Sequence, residues 1–308
     1  MTAHLAAAFA VVACWGFAWG STATAAEQRP AGTGMAASLA DFGTAGREAA
    51  RRGIDSLPLE RIAPAHHDVI AHFRRSTTLH RRLPAETVHC DGELLAFLLA
   101  KPEAMVDMWR VLGISRVSLD PVARGQWQLS DGYGTVGVVR LLHHERSDAG
   151  DMLILHGRGG YSGPLSPKDL SGSCLLVIRH RDLTGAGVRP TQEIEMEAFL
   201  DVDGLGFELV TRTLQPLIVR SAAANFHEIC LFVGQFSAAA DRNPTGVARL
   251  ANRMSRTLPH DRQALVSVAC GRSFASAGQA GDEGRSADFH EELAARWMPV
   301  EAIDSLRR

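Results

Sequence analysis

The sequence predicts an α+β fold, in which an antiparallel sheet of about six strands packs on one long C-terminal amphipathic helix, with helical N- and C-terminal extensions. Three observations predict it. From Ser115 onward the apolar residues alternate with period two through segments separated by Gly, Asp and Ser turns. No helical pattern lies between those segments, and strands joined without crossover helices pair antiparallel. Residues 205–236 then carry the longest helical pattern in the chain. Stepping about 100° per residue places Ile218, Ala222, Phe226, Ile229, Val233 and Phe236 in one narrow sector, with Arg220, His227, Glu228 and Gln235 opposite. Pro216 predicts a kink or a helix start.

Taken in order, residues 27–34 are rich in Pro, Gly and Thr and read as a linker. Helices are expected over 35–53, with an apolar face mostly of alanine, and over 64–75, around Val69, Ile70 and Phe73. The basic run His72, Arg74, Arg75, His80, Arg81 and Arg82 reads as part of a solvated linker, with a phosphate or acidic-polymer site as the alternative. A short strand is expected at 87–90. Residues 94–112 form two short helices that meet at Lys101-Pro102. Strands then follow at 116–119, 125–129, 135–142, 152–156, 174–180 and 193–202. Turn chemistry separates them at 131–132, 157–163, 171–172 and 203–204. After the long helix comes a stop at 238–244, a helix over 247–258 that residues 263–270 extend, a disordered Gly/Ser/Ala-rich stretch over 271–286 and a short terminal helix at 289–297. The implied organisation is a leader (1–26), an Arg-rich helical segment (27–86), a sheet-and-helix domain (87–240) and a helical extension (241–308).

The 308 residues and their 46% hydrophobic content support a substantial core, and a net charge of -2 excludes a global basic field for nucleic acid. The chain has only two lysines, Lys101 and Lys168, so its basic residues are almost all arginine. Residues 5–19 are apolar throughout and too short to span a bilayer comfortably. Ala23-Thr24-Ala25 follows as a cleavage site, which predicts export with a mature start near Ala26 or Glu27 and no stable membrane span after processing. The alternatives are an uncleaved anchor and a lipoprotein modified at Cys14, within the lipobox-like Val11-Val12-Ala13-Cys14. Export permits disulfides among Cys90, Cys174, Cys230 and Cys270, whose three pairings the spacing does not choose between; buried free thiols are the equal alternative.

The short motifs carry little chemistry. Residues 132–139 resemble a Gly-rich phosphate loop, His180-Arg181-Asp182-Leu183 a kinase catalytic loop and Asp41-Phe42-Gly43 its metal-binding triplet. Their order is wrong for a kinase, no V-A-I-K lysine follows, and Gly187 stands where the catalytic loop needs Asn. Residues 131–134 therefore read as a hairpin turn. His66, His67 and His72 share one helical candidate, but the last two are five apart, a poor ligand spacing. His143-His144-Glu145 and His227-Glu228 read as surface or capping groups. His89 and Cys90 are adjacent on a strand and point to opposite faces. Glu195 and Glu197 alternate with Ile194 and Met196, as on a sheet with one wet face. No cofactor or metal is implied.

The order of strand, two short helices, antiparallel strands and long helix resembles the START-like helix-grip fold, in which a curved sheet wraps the C-terminal helix. The likeness covers residues 87–240 and includes the Lys101-Pro102-Glu103 break and Trp109 near the end of the second helix. The chain is also similar to exported bacterial proteins of no known role. The resemblance implies an apolar ligand cavity lined by Ile218, Ala222, Phe226, Ile229 and Val233, with Ser221 or Asn225 orienting a polar head group. Three functions follow. The first is a non-enzymatic structural or interaction protein of the cell envelope with a solid core, its partner an envelope protein. The second binds lipid or another apolar small molecule. The third is an enzyme that uses polar cavity residues, Asn225 with Glu195.

Overall fold

The computed structural model describes residues 44–147, 150–162, 170–183, 190–203 and 215–276. The export leader with Cys14, the linker at 27–34, the Asp41-Phe42-Gly43 triplet, the start of the first expected helix, residues 204–214, most of the Gly/Ser/Ala-rich stretch and the helix expected at 289–297 lie outside them.

The fold is α+β. In chain order the elements are β1 (Thr44–Ala45), α1 (Arg47–Asp55), two 3-10 turns, α2 (His67–Ser76), β2 (Leu79–Arg82), β3 (Glu86–Val88), α3 (Gly92–Ala100), α4 (Pro102–Val111), β4 (Ser118–Ala123) and β5 (Gln126–Ser130). The long strands β6 (Thr135–Ser147), β7 (Gly150–Tyr161), β8 (Leu170–Asp182) and β9 (Gln192–Val202) follow, and then α5 (Gln215–Arg242), α6 (Pro244–Arg253) and α7 (Pro259–Ser276). Among the described residues the sheet has nine strands in the order β1-β2-β9-β8-β7-β6-β5-β4, with β3 also on β9. Every pairing is antiparallel.

The strand count corrects the expectation of about six. β3 is the strand expected at 87–90, and β1 and β2 come from the Arg-rich segment. Those strands are too short for period-two patterning to reveal. The turn expected at 157–163 is partly β7, and the one expected at 171–172 lies in β8. Gly172 sits where two backbones pass closely, since a Cβ on it would stand 2.7 Å from the Asp201 carbonyl, and across β6 and β7 a Cβ on Gly137 would stand 2.9 Å from that of Arg158. Glycine therefore marks close strand contact here, not a turn. β4 carries Pro121 and a register shift beside it, which an edge strand tolerates.

The expected hairpin turn at 131–134 is present. Asp131 Oδ1 accepts from the Tyr133 and Thr135 amides at 2.7 and 2.9 Å. Gly132 and Gly134 hold φ of +73° and +110°, which suits glycine alone. The break at Lys101-Pro102 is also present, with Pro102 opening α4. Lys101 pairs with Asp261 of α7 at 3.0 Å, and Glu103 accepts from Trp127 Nε1 of β5 at 2.7 Å. Burial pushes the Glu103 carboxyl up, against the Trp127 hydrogen bond.

The long helix is described from Gln215, beside Pro216, and runs to Arg242, six residues beyond the expected end at Phe236. Its buried arc is wider than the wheel predicted. Ile218, Phe226, Ile229, Val233 and Phe236 are buried, but so are Val219, Cys230 and Phe232. The reason is that α5 also packs against α6 and α7. Phe232 meets Trp109 of α4 edge-on at 5.8 Å. The stop expected over 238–244 narrows to Asn243, whose side chain accepts from Gly246 N at 2.9 Å and caps α6. Residues 259–276 form a separate helix, so the first six residues of the expected disordered stretch are helical.

The main correction concerns the wet face. Ile194, Met196, Ala198 and Leu200 of β9 share a core with Leu176 and Ile178 of β8 and with Phe226, Ile229 and Val233 of α5. Phe199 of β9, Leu175 and Val177 of β8 and Ile154 of β7 share a second core with Ile54 of α1 and with Ile70 and Phe73 of α2. The middle of the sheet is thus buried on both faces. The basic run is correspondingly no solvated linker. His80 and Arg81 are buried in β2, and Glu197, which lies opposite Arg82 and on the same face as His80, is 2% exposed. His80 Nε2 donates to Glu197 at 2.8 Å, Arg82 donates at 3.1 Å, and Arg179 lies at 3.6 Å. Burial works to raise the Glu197 carboxyl, but the hydrogen bonds and charges of His80 and Arg82 outweigh it and hold it below the usual range. Arg74 pairs with Asp55 and His72 with Asp201. With His72, Arg74, His80 and Arg82 answered by acids, the alternative of a phosphate site on the run loses most of its support.

All four described cysteines are free and buried. Burial pushes the Cys90 thiol up to about 12 and that of Cys270 up to about 11.

Two outcomes test the second layer. A Cβ on Gly53 of α1 would lie 2.3 Å from Glu197 Oε1 and 2.9 Å from Phe199 Cζ, whereas on Gly271 it meets nothing within 4 Å. Gly53→Ala therefore lowers the urea midpoint by an amount worth about 1–3 kcal/mol, and Gly271→Ala leaves or raises it; equal midpoints contradict the packing. Beneath α2, burial and then the charges of Arg140 and Arg158 hold His156 down to about 4. The unfolded chain takes up this proton near pH 6.5 and the folded chain only near 4, so stability is full above about pH 6.5 and falls as pH drops toward 4. His156→Leu flattens that fall by of the order of 2 kcal/mol in denaturation series across the same window.

Candidate functional site

The end of β6, the start of β7, the end of β8 and the start of β9 converge on the N-terminus of α3. Register brings their side chains together: Asp151 of β7 lies opposite Arg146 of β6 and opposite His180 of β8, and Asp182 lies opposite Gln192 of β9. Side chains two apart on a strand share a face, so His180 and Asp182 point the same way. The two preceding residues of this pattern on β8, Leu176 and Ile178, lie in the core shared with α5. The site therefore continues the α5 side of the sheet beyond its apolar part.

Two local features hold the strands and the helix together. Gly150 has φ of +129°, and a Cβ there would stand 2.2 Å from the His180 carbonyl, so β7 meets β8 at a distance only glycine permits. Asp91 caps α3 by accepting from the Glu93 amide at 2.8 Å. Gly92 seats this helix start over Gln192, whose Nε2 lies 3.3 Å from the Cβ position.

The result is a cleft of about 310 Å³ lined by Asp91, Glu93, Arg146, Asp151, His180 and Gln192 among others. Asp151, His180 and Gln192 are 8%, 7% and 1% exposed. Their polar atoms are poorly served. His180 Nε2 approaches Asp151 Oδ2 to 3.2 Å, and His144 Nε2 approaches the same oxygen to 3.9 Å. The first is a charge contact without hydrogen-bond alignment and the second is too long. Both ring nitrogens of His180, Asp151 Oδ2, His144 Nε2 and Gln192 Nε2 are buried without a hydrogen-bond partner. Burial lowers the His144 pKa, with Asp151 acting in the opposite sense, so the ring is neutral at neutral pH. Arg146 reaches Glu93 at 3.0 Å and Asp151 at 3.4 Å.

A second cleft, of about 280 Å³, opens on the α1 side around Arg61, Arg179, Glu193 and Glu195. Part of its charge is paired within it: Arg61 bonds Glu145, and Arg181 reaches Glu193 at 2.6 Å. It holds none of the unpartnered buried atoms except those of Asp151 and His180, which it shares with the first cleft.

The residues expected to form an apolar site lie elsewhere. Ile218, Phe226, Ile229 and Val233 are buried core residues, and Ala222 is partly buried beside them. Asn225 Nδ2 donates to Ser221 Oγ at 3.3 Å, so the two polar groups bond each other. The pairing of Asn225 with Glu195 is overturned. Glu195 alternates with Ile194 and Met196, which face α5, and so points to the opposite side of the sheet, into the second cleft. The Cys90 thiol, at about 12, is no nucleophile at neutral pH, and His89 turns away to Thr191. His67 Nε2 donates to backbone carbonyls at 2.9 and 3.0 Å, and His227 pairs with Glu86. Among the described residues no group of three or more His, Cys, Asp or Glu is arranged to hold a metal ion, and no helix is long and apolar enough to cross a membrane.

Nothing in the sequence singles out Asp151 or Gln192; His144 ends an expected strand, and His180 and Asp182 fall in the rejected kinase-loop likeness. The signal was the His180/Asp182 spacing of two on a strand. It gains meaning only when register sets Asp151 opposite His180. No family model matches the chain, and no curated protein matches it.

The two buried histidines are expected to differ in their contribution to stability. His80→Leu strips Glu197 of a buried partner and costs about 3–5 kcal/mol. His180→Leu removes two unpartnered nitrogens and leaves stability unchanged or raised by about 1 kcal/mol. Chemical denaturation of both variants checks this, and an equal loss contradicts it.

Proposed function

We propose that the protein is an exported, non-enzymatic binding protein of the cell envelope, and that it recognises a small polar ligand in the cleft at the α3 N-terminus. One observation carries the reading. Asp151, His180 and Gln192 keep buried polar atoms unpartnered at one cleft, at a cost of about 1–3 kcal/mol for each such group. Such a cost is recovered when a ligand supplies the missing hydrogen bonds. The cleft volume of about 310 Å³ falls at the small end of ligand sites.

The apolar-ligand reading has less support. The α5 residues assigned to that cavity share one core with β8 and β9, and Ser221 and Asn225 satisfy each other. That shared core is what supports the helix-grip arrangement of sheet and α5. Export rests on the apolar leader and its small-residue cleavage site. N-terminal sequencing of the envelope-fraction protein is expected to begin near Ala26 or Glu27, and an intact Met1 in the cytoplasm removes the envelope from the proposal.

A thermal-shift screen of the protein against small polar solutes and against fatty acids tests the binding reading. Saturation at about 100 times Kd adds about 2.7 kcal/mol, a rise of a few degrees. At least one polar solute is expected to give it, and His180→Leu is expected to abolish it. Stabilisation by fatty acids alone, unaffected by His180→Leu, supports the apolar reading instead.

A further inference from the structure

We propose that the cleft at the α3 N-terminus binds a polyhydroxylated ring, of monosaccharide or cyclitol size, through several hydroxyl groups at once. This rests on the binding reading above and names the ligand class. Three lining side chains, each more than nine-tenths buried, keep polar atoms without a hydrogen-bond partner: Asp151 Oδ2, both ring nitrogens of His180 and Gln192 Nε2. Their chemistry differs. The Asp151 carboxylate oxygen accepts, Gln192 Nε2 donates, and a ring nitrogen of His180 donates when it carries a proton and accepts when it does not. A ligand group that only donates, such as an ammonium, leaves Gln192 unserved. One that only accepts, such as a carboxylate, leaves Asp151 unserved. A hydroxyl both donates and accepts, so it serves all three side chains in either state of His180. Recognition then rests on hydrogen bonding and requires no net charge on the ligand.

Register sets the size of the ligand. Asp151 lies opposite His180, and Gln192 lies opposite Asp182, two residues farther along β8. Strands about 4.8 Å apart and a rise of about 3.4 Å per residue put the Asp151 and Gln192 backbones about 12 Å apart. A single hydroxyl does not serve both. A ring with hydroxyls on several carbons presents them on opposite edges, with His180 between the two ends. The cleft of about 310 Å³ holds roughly ten waters at roughly 30 Å³ each, room for such a ring with water beside it. Each ring hydroxyl also repeats the donor and acceptor roles of the water it displaces, so the exchange loses little hydrogen bonding.

Isothermal titration of the full chain with a panel of aldohexoses, aldopentoses and myo-inositol tests the proposal, with glycerol, acetamide, ethylamine and acetate as controls. At least one ring polyol is expected to bind about tenfold more tightly than every control, or better. Gln192→Met and Asp151→Asn are each expected to weaken that ring by about tenfold or more. Gln192→Met removes the donor and leaves the Asp151 contacts in place, so it keeps the test valid should Asp151→Asn fail to fold. Glycerol binding as tightly as the best ring overturns the ring. Acetamide, ethylamine or acetate binding as tightly overturns the hydroxyl requirement. Ring binding that Gln192→Met leaves unchanged overturns the assignment to this cleft. No ring binding, with a thermal-shift response to another polar solute that His180→Leu abolishes, overturns the polyol and leaves the binding reading standing. No response to any polar solute overturns both.

Discussion

Strand β9 is held on all four sides, and the rest of the molecule follows from that. One edge pairs with β8 and the other with β2 and β3. One face enters the core shared with α5, and the other meets α1 and α2. A strand in that position reads normally as a continuous apolar run. β9 instead places Glu197 in the second layer, and a buried carboxylate is tolerated only with partners. His80 and Arg82 of β2 and Arg179 of β8 are those partners. The basic character of the 72–82 segment is thus an internal requirement of the sheet. His80 and Arg82 are answered at close range by Glu197, Arg74 by Asp55 and His72 by Asp201.

This explains which parts of the fold were legible. The long alternating strands, the Lys101-Pro102 break, the Asp131 turn and the apolar face of α5 all follow from local pattern, and each is present. What failed was long-range. The charges of β9 suggest a wet face until Gly53 is seen 2.3 Å, by its Cβ position, from Glu197 Oε1. Gly172 of β8 suggests a turn until the Asp201 carbonyl is seen against it. Phe232 lies outside the expected sector of α5 because Trp109 arrives from α4. In each case the deciding contact joins residues far apart in sequence, which no period reports.

The candidate site was illegible for the same reason. His180 and Asp182 stand out in sequence only through a false likeness to a kinase loop. Asp151 and Gln192 belong to no motif. Their meaning comes from three strands in register and a helix that starts over them. The two buried polar groups on opposite faces of the sheet make the contrast plain. Glu197 is surrounded by donors and stabilises the packing of the second layer. Asp151 and His180 approach each other to 3.2 Å without a satisfactory bond. His80 itself keeps Nδ1 unpartnered, so the contrast lies in the carboxylates: Glu197 accepts from His80 and Arg82, and Asp151 Oδ2 has no aligned donor.

The central claim, that β2 and its helices form one cooperative unit with the β8–β9 core, is open to native-state hydrogen exchange. The Thr78 amide donates to Leu200 O at 2.7 Å and the Leu83 amide to Met196 O at 2.9 Å, so both report on the β2–β9 seam. Their opening free energies are predicted to match those of the central β8 and β9 amides and to equal the global unfolding free energy. Exchange of Thr78 and Leu83 through a separate opening, several kcal/mol below the β8–β9 value, would make the Arg-rich segment an appendage and contradict the account.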